Sequence, residues 1–391
     1  MKKGWEYNKI GKLCKTYSGG TPLKNVKEYY QNGNIPWLRS GEVCKKYISE
    51  TEMFITQKGL ENSSAKYYPI DTVVVAMYGA TAAQVGILKI EATSNQAVCG
   101  ILPNRKFLPE FLYYFFCYRK EFLASQAQGG AQPNISQVKI KNLEVPVPPL
   151  SEQQGIVDYL DSAFAKIDAM KANAEKALGE AKALFQASLK EMLEPKEGWE
   201  EKRIDEVCSI ARGGSPRPIK DYITNDPNGL NWIKIGDTDM GGKYIYSTKE
   251  KIKPEGLKKS RWVEEDEFLL SNSMSFGRPY ILKTNGCIHD GWLVLRDYQK
   301  YLDIDFFYYV LSSEFVQKQF RTKAQGSTVS NLNTDRVASV TIPVPPLSQQ
   351  QRIVATLDSL KSKVDRLQEN YDKISQECDA LKQAILRQVF E

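Results

Sequence analysis

The chain has 391 residues, a formal net charge of +6, 42% hydrophobic residues and 26% charged residues. This length predicts two or three domains of roughly 100–200 residues, each able to bury its own core, and the composition excludes a disordered chain. The single histidine excludes histidine-based metal clusters and most catalytic triads.

The N-terminal part of the sequence shows no signal peptide and no membrane helix. A long stretch without charged residues, 72–88, is shorter than the ~20 residues that span a bilayer. It contains glycines, so we expect buried strands around a turn at Tyr78-Gly79. The seven cysteines include no C-x-x-C pair and are odd in number, which favours a reduced, cytoplasmic protein without disulfides or a zinc site.

An internal duplication runs through the whole chain at offsets of 194 to 197 residues. In the first copy the repeated segments are Gly4-Trp5-Glu6, Gly19-Gly20-Thr21-Pro22, Ile35-Pro36-Trp37, 110–114 and the V-P-V-P-P-L-S segment at 145–151. They return as Gly198-Trp199-Glu200, Gly213-Gly214-Ser215-Pro216, Asn231-Trp232, 305–309 and the I-P-V-P-P-L-S segment at 342–348. The order of these matches indicates a tandem repeat.

Each copy begins with a globular part, at 1–150 and 195–347. Short β-branched and aromatic runs separated by Gly, Pro and Asn predict a mixed α+β domain with a helix near 109–123 and its counterpart near 304–320. The aromatic stretches 113–116 and 306–309 follow helical spacing. They favour core packing over stacking on bases.

Each copy ends with a long helix, at 151–194 and 348–391. Apolar residues recur with 4,3 spacing over five heptads in both segments, which indicates a coiled coil. We expect Ser151 and Ser348 to open these helices as capping boxes with Gln154 and Gln351.

The order of the segments predicts that the two helices run antiparallel. The first is rich in alanine and the second in bulky residues, so we expect Ala163 opposite Leu381 and Ala174 opposite Tyr371. The C-terminus should then end near the first globule. The predicted fold class is α+β, with two pseudo-twofold-related mixed α/β domains separated by a long antiparallel two-helix coiled coil.

Catalytic signatures are mostly missing from the sequence. Neither G-x-G-x-x-G nor G-x-x-x-x-G-K-[ST] occurs. The acidic run 264–267 resembles nuclease carboxylates, but a solvated surface turn is favoured. His289 beside Asp290 is a candidate base, although a structural role is favoured. We predict no catalytic and no metal-binding residues.

The two G-G-[TS]-P loops are the best candidates for ligand contact. Backbone N–H groups, small hydroxyls and neighbouring cations suit DNA phosphates, and a tight structural turn explains the glycines equally well. The polar loops at 128–134 and 325–331 carry amides that suit base edges or simple strand connections. The candidate DNA-binding residues are Ser18, Gly19, Gly20, Thr21, Lys24, Arg39, Gln128, Asn134, Arg212, Gly213, Gly214, Ser215, Arg217, Lys234, Arg278, Gln325 and Asn331.

These features together resemble the specificity subunits of type I restriction–modification systems. The resemblance covers essentially the whole chain and rests on the Trp-Glu openings, the G-G-[TS]-P loops, the P-P-L-S-x-Q-Q junctions and the helix after each junction. It implies a non-catalytic reader of double-stranded DNA. Each globule, as a target recognition domain, would read one half of a bipartite site, and the helices would fix the spacing.

The resemblance also implies partners and cofactors that lie outside this chain. Two modification subunits would dock on the helices and methylate adenine with S-adenosylmethionine, and restriction subunits would add ATP- and Mg²⁺-dependent translocation and cleavage. Counted along the chain, residues 1–150 carry a net charge of +8, 151–194 of −3, 195–347 of +1 and 348–391 of 0. We therefore expect the first globule to contribute more of the salt-dependent DNA affinity.

Two other functions are compatible with parts of the sequence. A structural adaptor would bridge protein partners through its coiled coil without touching DNA, and a duplex-binding assay separates the two. An enzyme with its own nuclease or methyltransferase activity would need about 200 further residues for a catalytic domain. The chain leaves no room for one.

Overall fold

The structure is a computed structural model that describes residues 4–126, 134–239, 242–272, 276–324 and 332–391. The chain forms two compact units, residues 1–174 with 371–391 and residues 175–370. Each unit contains one mixed α/β globule together with parts of two long helices. The predicted class, two mixed α/β domains with paired antiparallel long helices, is confirmed.

The globule of the first unit is built on one main sheet and two smaller ones. The main sheet has five strands in the spatial order Thr16–Ser18, Val98–Ile101, Val73–Ala76, Val85–Leu88 and Tyr47–Ile48. A three-stranded sheet contains Phe54–Ile55, Ile35–Leu38 and Thr93–Ser94, and Glu6–Lys9 pairs with Glu144–Val147. The expected strands around Tyr78-Gly79 are present. They are joined by a 3₁₀ turn at Gly79–Thr81.

The globule of the second unit has a closely related arrangement. Its main sheet has the order Ser209–Arg212, Trp292–Arg296, Phe268–Ser271, Pro279–Leu282 and Tyr244–Ile245. A second sheet contains Ile223–Thr224, Glu250–Ile252, Leu230–Ile233, Gly286–Ile288 and Arg261–Val263, and Glu200–Arg203 pairs with Thr341–Val344. The repeated sequence therefore produces the same main sheet twice.

One helical segment in each globule packs its aromatic residues into the core, as the spacing predicts. It is the single helix Pro109–Ser125 in the first unit, whereas in the second unit it is divided into Ile304–Ser312 and Glu314–Ala324. Ser313 interrupts the second because its backbone is extended there, and its hydroxyl donates to Val310 O at 2.6 Å. The short helices are Ile10–Leu13, Gln57–Glu61, Gln137–Lys141, Ile204–Val207 and Thr334–Ala338.

The two long helices span Leu150–Leu193 and Leu347–Phe390. Both begin one residue earlier than predicted, so Ser151 and Ser348 lie in the first turn and the expected capping boxes are wrong. In the first helix the preceding proline supplies the first carbonyl acceptor, for the N–H groups of residues 152 and 153. A proline carbonyl can take this place because the helix needs an acceptor there and no N–H donor.

The helices run antiparallel within each unit. In the first unit Asp168 pairs with Lys382 at 2.5 Å, and Cys378 Sγ lies 3.8 Å from Ile167 O, which agrees with the predicted register. In the second unit Lys182 Nζ donates to Gln368 Oε1 at 2.7 Å. The C-terminal end lies against the first globule, as predicted. There the Phe390 ring centroid is 5.5 Å from that of Phe111.

A buried glutamine joins each globule to the helix that follows it. The Gln153 amide accepts from Leu108 N at 2.9 Å and donates to Lys106 O at 2.8 Å and Pro148 O at 2.9 Å. It is 0% exposed, so these three backbone groups satisfy its amide away from bulk solvent. This bonding explains one glutamine of the first P-P-L-S-x-Q-Q junction.

The second junction repeats this arrangement. Gln350 is 0% exposed, accepts from Asp303 N at 2.8 Å and donates to Tyr301 O and Pro345 O, both at 2.8 Å. The tryptophans of the Trp-Glu openings also bond to the helix starts. Trp5 Nε1 donates to Glu152 Oε1 at 2.9 Å, and Trp199 Nε1 donates to Gln349 Oε1 at 3.0 Å.

Candidate nucleic-acid interface

A cleft of about 700 Å³ opens beside the first G-G-[TS]-P loop. Thr21 of this loop donates a hydrogen bond to Gln96 Oε1, and Trp37 Nε1 donates to Gly20 O at 2.9 Å. The lining residues are Thr21, Lys24, Lys27, Tyr30, Gln31, Trp37, Arg39, Met53, Asn95 and Gln96. Three predicted DNA-binding residues, at 21, 24 and 39, are therefore brought together in one place.

A second cleft, of about 820 Å³, lies beside the other G-G-[TS]-P loop. Ser215 Oγ donates to Asp290 Oδ1 at 2.6 Å, and the Arg217 guanidinium lies 3.4 Å from Asp290 Oδ2. The lining residues are Ser215, Pro216, Arg217, Pro218, Ile219, Trp232, Lys234, His289 and Asp290. The predicted residues Ser215, Arg217 and Lys234 therefore share this cleft.

Equivalent positions of the repeat line the two clefts. Trp37 corresponds to Trp232, and two residues later Arg39 corresponds to Lys234. Each of these cations precedes a 3₁₀ turn, Ser40–Glu42 or Ile235–Asp237, whose last carboxylate accepts from its N–H group. The duplication has thus preserved a cleft and its local scaffold, and not only a loop sequence.

The cations of the first cleft differ in whether they form ion pairs with neighbouring carboxylates. Arg39 is paired with Glu42 and Glu52. Lys24 and Lys27 are exposed, and neither side chain forms a hydrogen bond or ion pair with any residue in the described ranges. These two ammonium groups are therefore available to an anionic ligand.

The second cleft offers fewer unengaged cations. Lys234 Nζ lies 2.6 Å from Glu250 Oε1, and the Arg217 side chain is 79% exposed beside Asp290. Its lining also includes the Asp290 carboxylate, whereas no acidic residue is found among the described residues that line the first cleft. The first cleft is therefore more positive than the second, and the first globule also has the larger net charge, +8 against +1.

The glycines of both loops lie close to the backbone of their own globule. A Cβ atom at Gly19 would lie 2.2 Å from Ser94 O, and one at Gly213 would lie 2.2 Å from His289 O. All four loop glycine N–H groups donate to carbonyls within their globule, at 2.8 to 3.1 Å. The structural turn therefore accounts for Gly19, Gly20, Gly213 and Gly214, and their contact with DNA stays a prediction.

The other candidate residues are more scattered. Ser18 is half-buried in its strand, and Asn134 is exposed and forms an isolated bridge with Tyr78. Arg212 Nε donates to Asp290 O at 3.0 Å, beside the second cleft, whereas the exposed Arg278 is not among the residues that line it. Gln128, Gln325 and Asn331 lie outside the described residues.

Sequence reasoning missed the residues that face the loop hydroxyls. Gln96 follows the short strand Thr93–Ser94, and Asp290 follows Gly286–Ile288. About 75 residues separate each of them from its loop, so no local motif marks them. The sequence signals for this place are the repeated G-G-[TS]-P loops and the tryptophan match at offset 195.

His289 has a structural environment in the wall of the second cleft. Ile235 N donates to His289 Nε2 at 3.2 Å, and the rings of Trp232 and Trp292 lie 6.2 and 6.3 Å away by centroid. Burial lowers the pKa of His289 below its ordinary value of 6.5. These contacts support the structural role that the sequence favours.

We expect the stability of the protein to fall as the pH falls from about 7.5 to 5.5. Because the folded-state pKa of His289 is lowered, the unfolded chain binds the proton more readily in this range. No other histidine titrates there. Urea unfolding at each pH should show this decline, and His289→Gln, which keeps an acceptor for Ile235 N, should flatten it. An unchanged slope in the variant would contradict the assignment.

The described ranges provide structural information on metal binding, on membrane-spanning helices and on the acidic run 264–267. No group of three or more His, Cys, Asp or Glu side chains there could hold a metal ion. Within the same ranges no helix is both long and apolar enough to cross a membrane. The run 264–267 is a largely exposed surface turn, as the sequence favours.

Comparison with protein families identifies one matching family model. It is described as the type I restriction modification DNA specificity domain, and it matches residues 2–178 and again 196–376. The two matches cover most of the chain and follow the internal duplication.

Curated relatives include several specificity subunits. The EcoR124I/EcoR124II specificity subunit of Escherichia coli is 30% identical over 161 residues, 40% of each chain. The MjaIX specificity subunit of Methanocaldococcus jannaschii is 27% identical and is matched over 56% of its length, with 57% of this chain covered. The chain thus spans about half the length of these two relatives. The StySPI specificity subunit of Salmonella potsdam is 22% identical over 100% of this chain and 89% of its own.

Solved structures show the same fold. A chain from a study of complex assembly and conformational transition of the type I R-M system has a TM-score of 0.79 and 22% identity, covering 100% of this chain and 98% of its own. The HsdS subunit from Thermoanaerobacter tengcongensis has a TM-score of 0.59 and 21% identity, covering 100% and 97%.

Proposed function

Because this chain belongs to the family of type I restriction–modification DNA specificity subunits, we propose that its two globules read the two halves of one bipartite DNA target. Family membership supports a recognition role and not a catalytic one. It also favours DNA specificity over an adaptor that does not touch DNA.

One observation supports this proposal most strongly, namely that the cleft occurs twice. Both clefts combine a loop hydroxyl, a tryptophan and a cation at equivalent positions of the repeat. Cations suit phosphate contact, and side-chain amides or carboxylates suit base edges. Each loop hydroxyl already donates to such a side chain, Gln96 in the first cleft and Asp290 in the second. Because the other lining residues differ, the two domains would read different sequences.

Within this proposal the DNA-contacting residues fall into two groups. Thr21, Lys24 and Arg39 would act in the first cleft and Ser215, Arg217 and Lys234 in the second. The remaining candidates, including Gln128, Gln325 and Asn331, would extend the contact surface. The net charge of +8 supports a larger share of phosphate contacts for the first domain.

We also propose the partners that the family implies. Two modification subunits would dock on the long helices and methylate adenine with S-adenosylmethionine, and restriction subunits would use ATP and Mg²⁺. No residue of this chain is assigned to those cofactors. The seven free cysteines support a reducing, cytoplasmic location.

Genome-wide methylation sequencing tests the proposal. A host that expresses the chain with its modification subunit should acquire methylated adenines in a two-part motif, and the modification subunit alone should yield no such motif. A single undivided motif, or no motif with the full complex, would overturn the proposal.

A further inference from the structure

The residue that the loop hydroxyl holds differs chemically between the two clefts. In the first cleft the partner of Thr21 is an amide, Gln96, which can donate and accept. In the second the partner of Ser215 is a carboxylate, Asp290. The two hydroxyls occupy the same position of the repeated loop, and each donates to a side chain of its own cleft. The two clefts therefore share this hydrogen bond, but the side chains that accept it differ in their capacity to donate.

Asp290 is held as an ionised acceptor. The Ser215 hydroxyl at 2.6 Å is the main reason that the pKa of Asp290 lies below its usual range, and Arg217 lies near its second oxygen. At neutral pH this carboxylate can therefore only accept hydrogen bonds. Gln96 is exposed, and its hydrogen bond from Thr21 engages the amide oxygen, so its NH₂ group remains available.

We propose that Gln96 and Asp290 are the specificity-determining residues of the two clefts, each oriented on a base edge by its loop hydroxyl. Gln96 reads a base that presents a donor and an acceptor together, as adenine N6 and N7 do. Asp290 reads a base that presents a donor, as cytosine N4 does. This inference rests on the proposed DNA-reading function and adds the residues that make the half-sites different.

The surroundings of both residues support this reading. Lys24 and Lys27 in the first cleft and the 79% exposed Arg217 in the second suit the phosphate backbone. The amide and the carboxylate line the same clefts as these cations. A duplex held by the cations would thus present its bases to Gln96 and Asp290.

The test measures sequence selection by the full chain in complex with its modification subunits. A duplex library carrying the wild-type motif is randomised at one base pair at a time, and bound duplexes are sequenced. Gln96→Glu should change discrimination at one base pair of one half-site by about 10- to 100-fold, and Asp290→Asn should do so in the other half. All other positions should keep their wild-type preference.

Two matched variants serve as controls outside the clefts. Gln137 Nε2 donates to Thr16 Oγ1 at 3.1 Å, and Ser209 Oγ donates to Asp297 Oδ2 at 2.6 Å. Gln137→Glu and Asp297→Asn make the same chemical changes in hydroxyl-bonded pairs of the same two globules. Neither should alter the selected motif.

The outcomes separate the two proposals. If the wild-type complex selects no two-part motif, the proposed function itself fails. If it selects one, but Gln96→Glu and Asp290→Asn select the same motif or lose affinity equally for every duplex, the specificity assignment is overturned. Should Asp290→Asn fail to assemble, Ser215→Ala retains the carboxylate without its anchor. It should relax preference at the same base pair, and unchanged preference there would overturn the assignment.

Discussion

Replacing Gln153 with leucine is expected to lower the free energy of unfolding by about 3–5 kcal/mol. The leucine would leave Leu108 N, Lys106 O and Pro148 O without partners in a site that is closed to water. A buried unpaired polar group costs roughly 1–3 kcal/mol, and partial relaxation of the chain reduces the sum. Gln350→Leu should have a similar effect, because its amide also has three backbone partners.

The neighbouring glutamine provides the control for this experiment. Gln154 is exposed and donates to Asp158 one turn further along the helix, at 2.8 Å. Gln154→Leu should change the free energy of unfolding by less than about 0.5 kcal/mol. Urea unfolding followed by circular dichroism measures both variants. Equal stability of Gln153→Leu and Gln154→Leu would show that the junction amide has no special role.

Removing the two unengaged cations of the first cleft is expected to weaken DNA binding about 30-fold at 0.15 M salt. Each phosphate contact steepens the dependence of log K on log salt by about 0.9, which amounts to roughly five- to sixfold in affinity at that salt concentration. Lys24→Ala with Lys27→Ala should therefore flatten the slope by about 2. Arg217→Ala in the second cleft should flatten it by about 1.

Fluorescence anisotropy of a labelled duplex across a salt series measures these slopes. Lys58→Ala is a suitable control, because Lys58 is an exposed lysine of the same globule that pairs with Glu28 at 3.0 Å and lies outside the lining of the cleft. It should leave the slope nearly unchanged. A double variant with the wild-type slope would exclude the first cleft from the phosphate contacts.

The repeat architecture could be predicted from sequence because its signals are local and occur twice. The heptad spacing predicted the long helices. Their antiparallel orientation was predicted from the order of the segments and from the alanine-rich and bulky residues at the heptad positions of the two helices. The helix starts were wrong by one residue, since Pro149 rather than Ser151 supplies the first acceptor. The break at Ser313 was missed as well, because it depends on a buried hydroxyl bond and not on a helix-breaking residue type.

Only one side of each cleft could be predicted from the sequence. The loop sides, with Thr21 and Ser215, carry a repeated motif and were found. The facing sides, Gln96 and Asp290, are brought there by strand pairing across about 75 residues, and their chemistry differs between the copies. A search for repeated residues misses such positions, because the two copies carry different residues there, Gln96 and Asp290.

The buried glutamines and the cleft residues differ in how closely the two copies of the repeat match. The junction glutamine is identical in both copies, at 153 and 350, whereas the residue opposite the loop hydroxyl has diverged to Gln96 in one and Asp290 in the other. After duplication, mutations in the cleft could therefore accumulate without disturbing the junction. New recognition could evolve in one half of the gene while the inherited folding framework stayed intact in both.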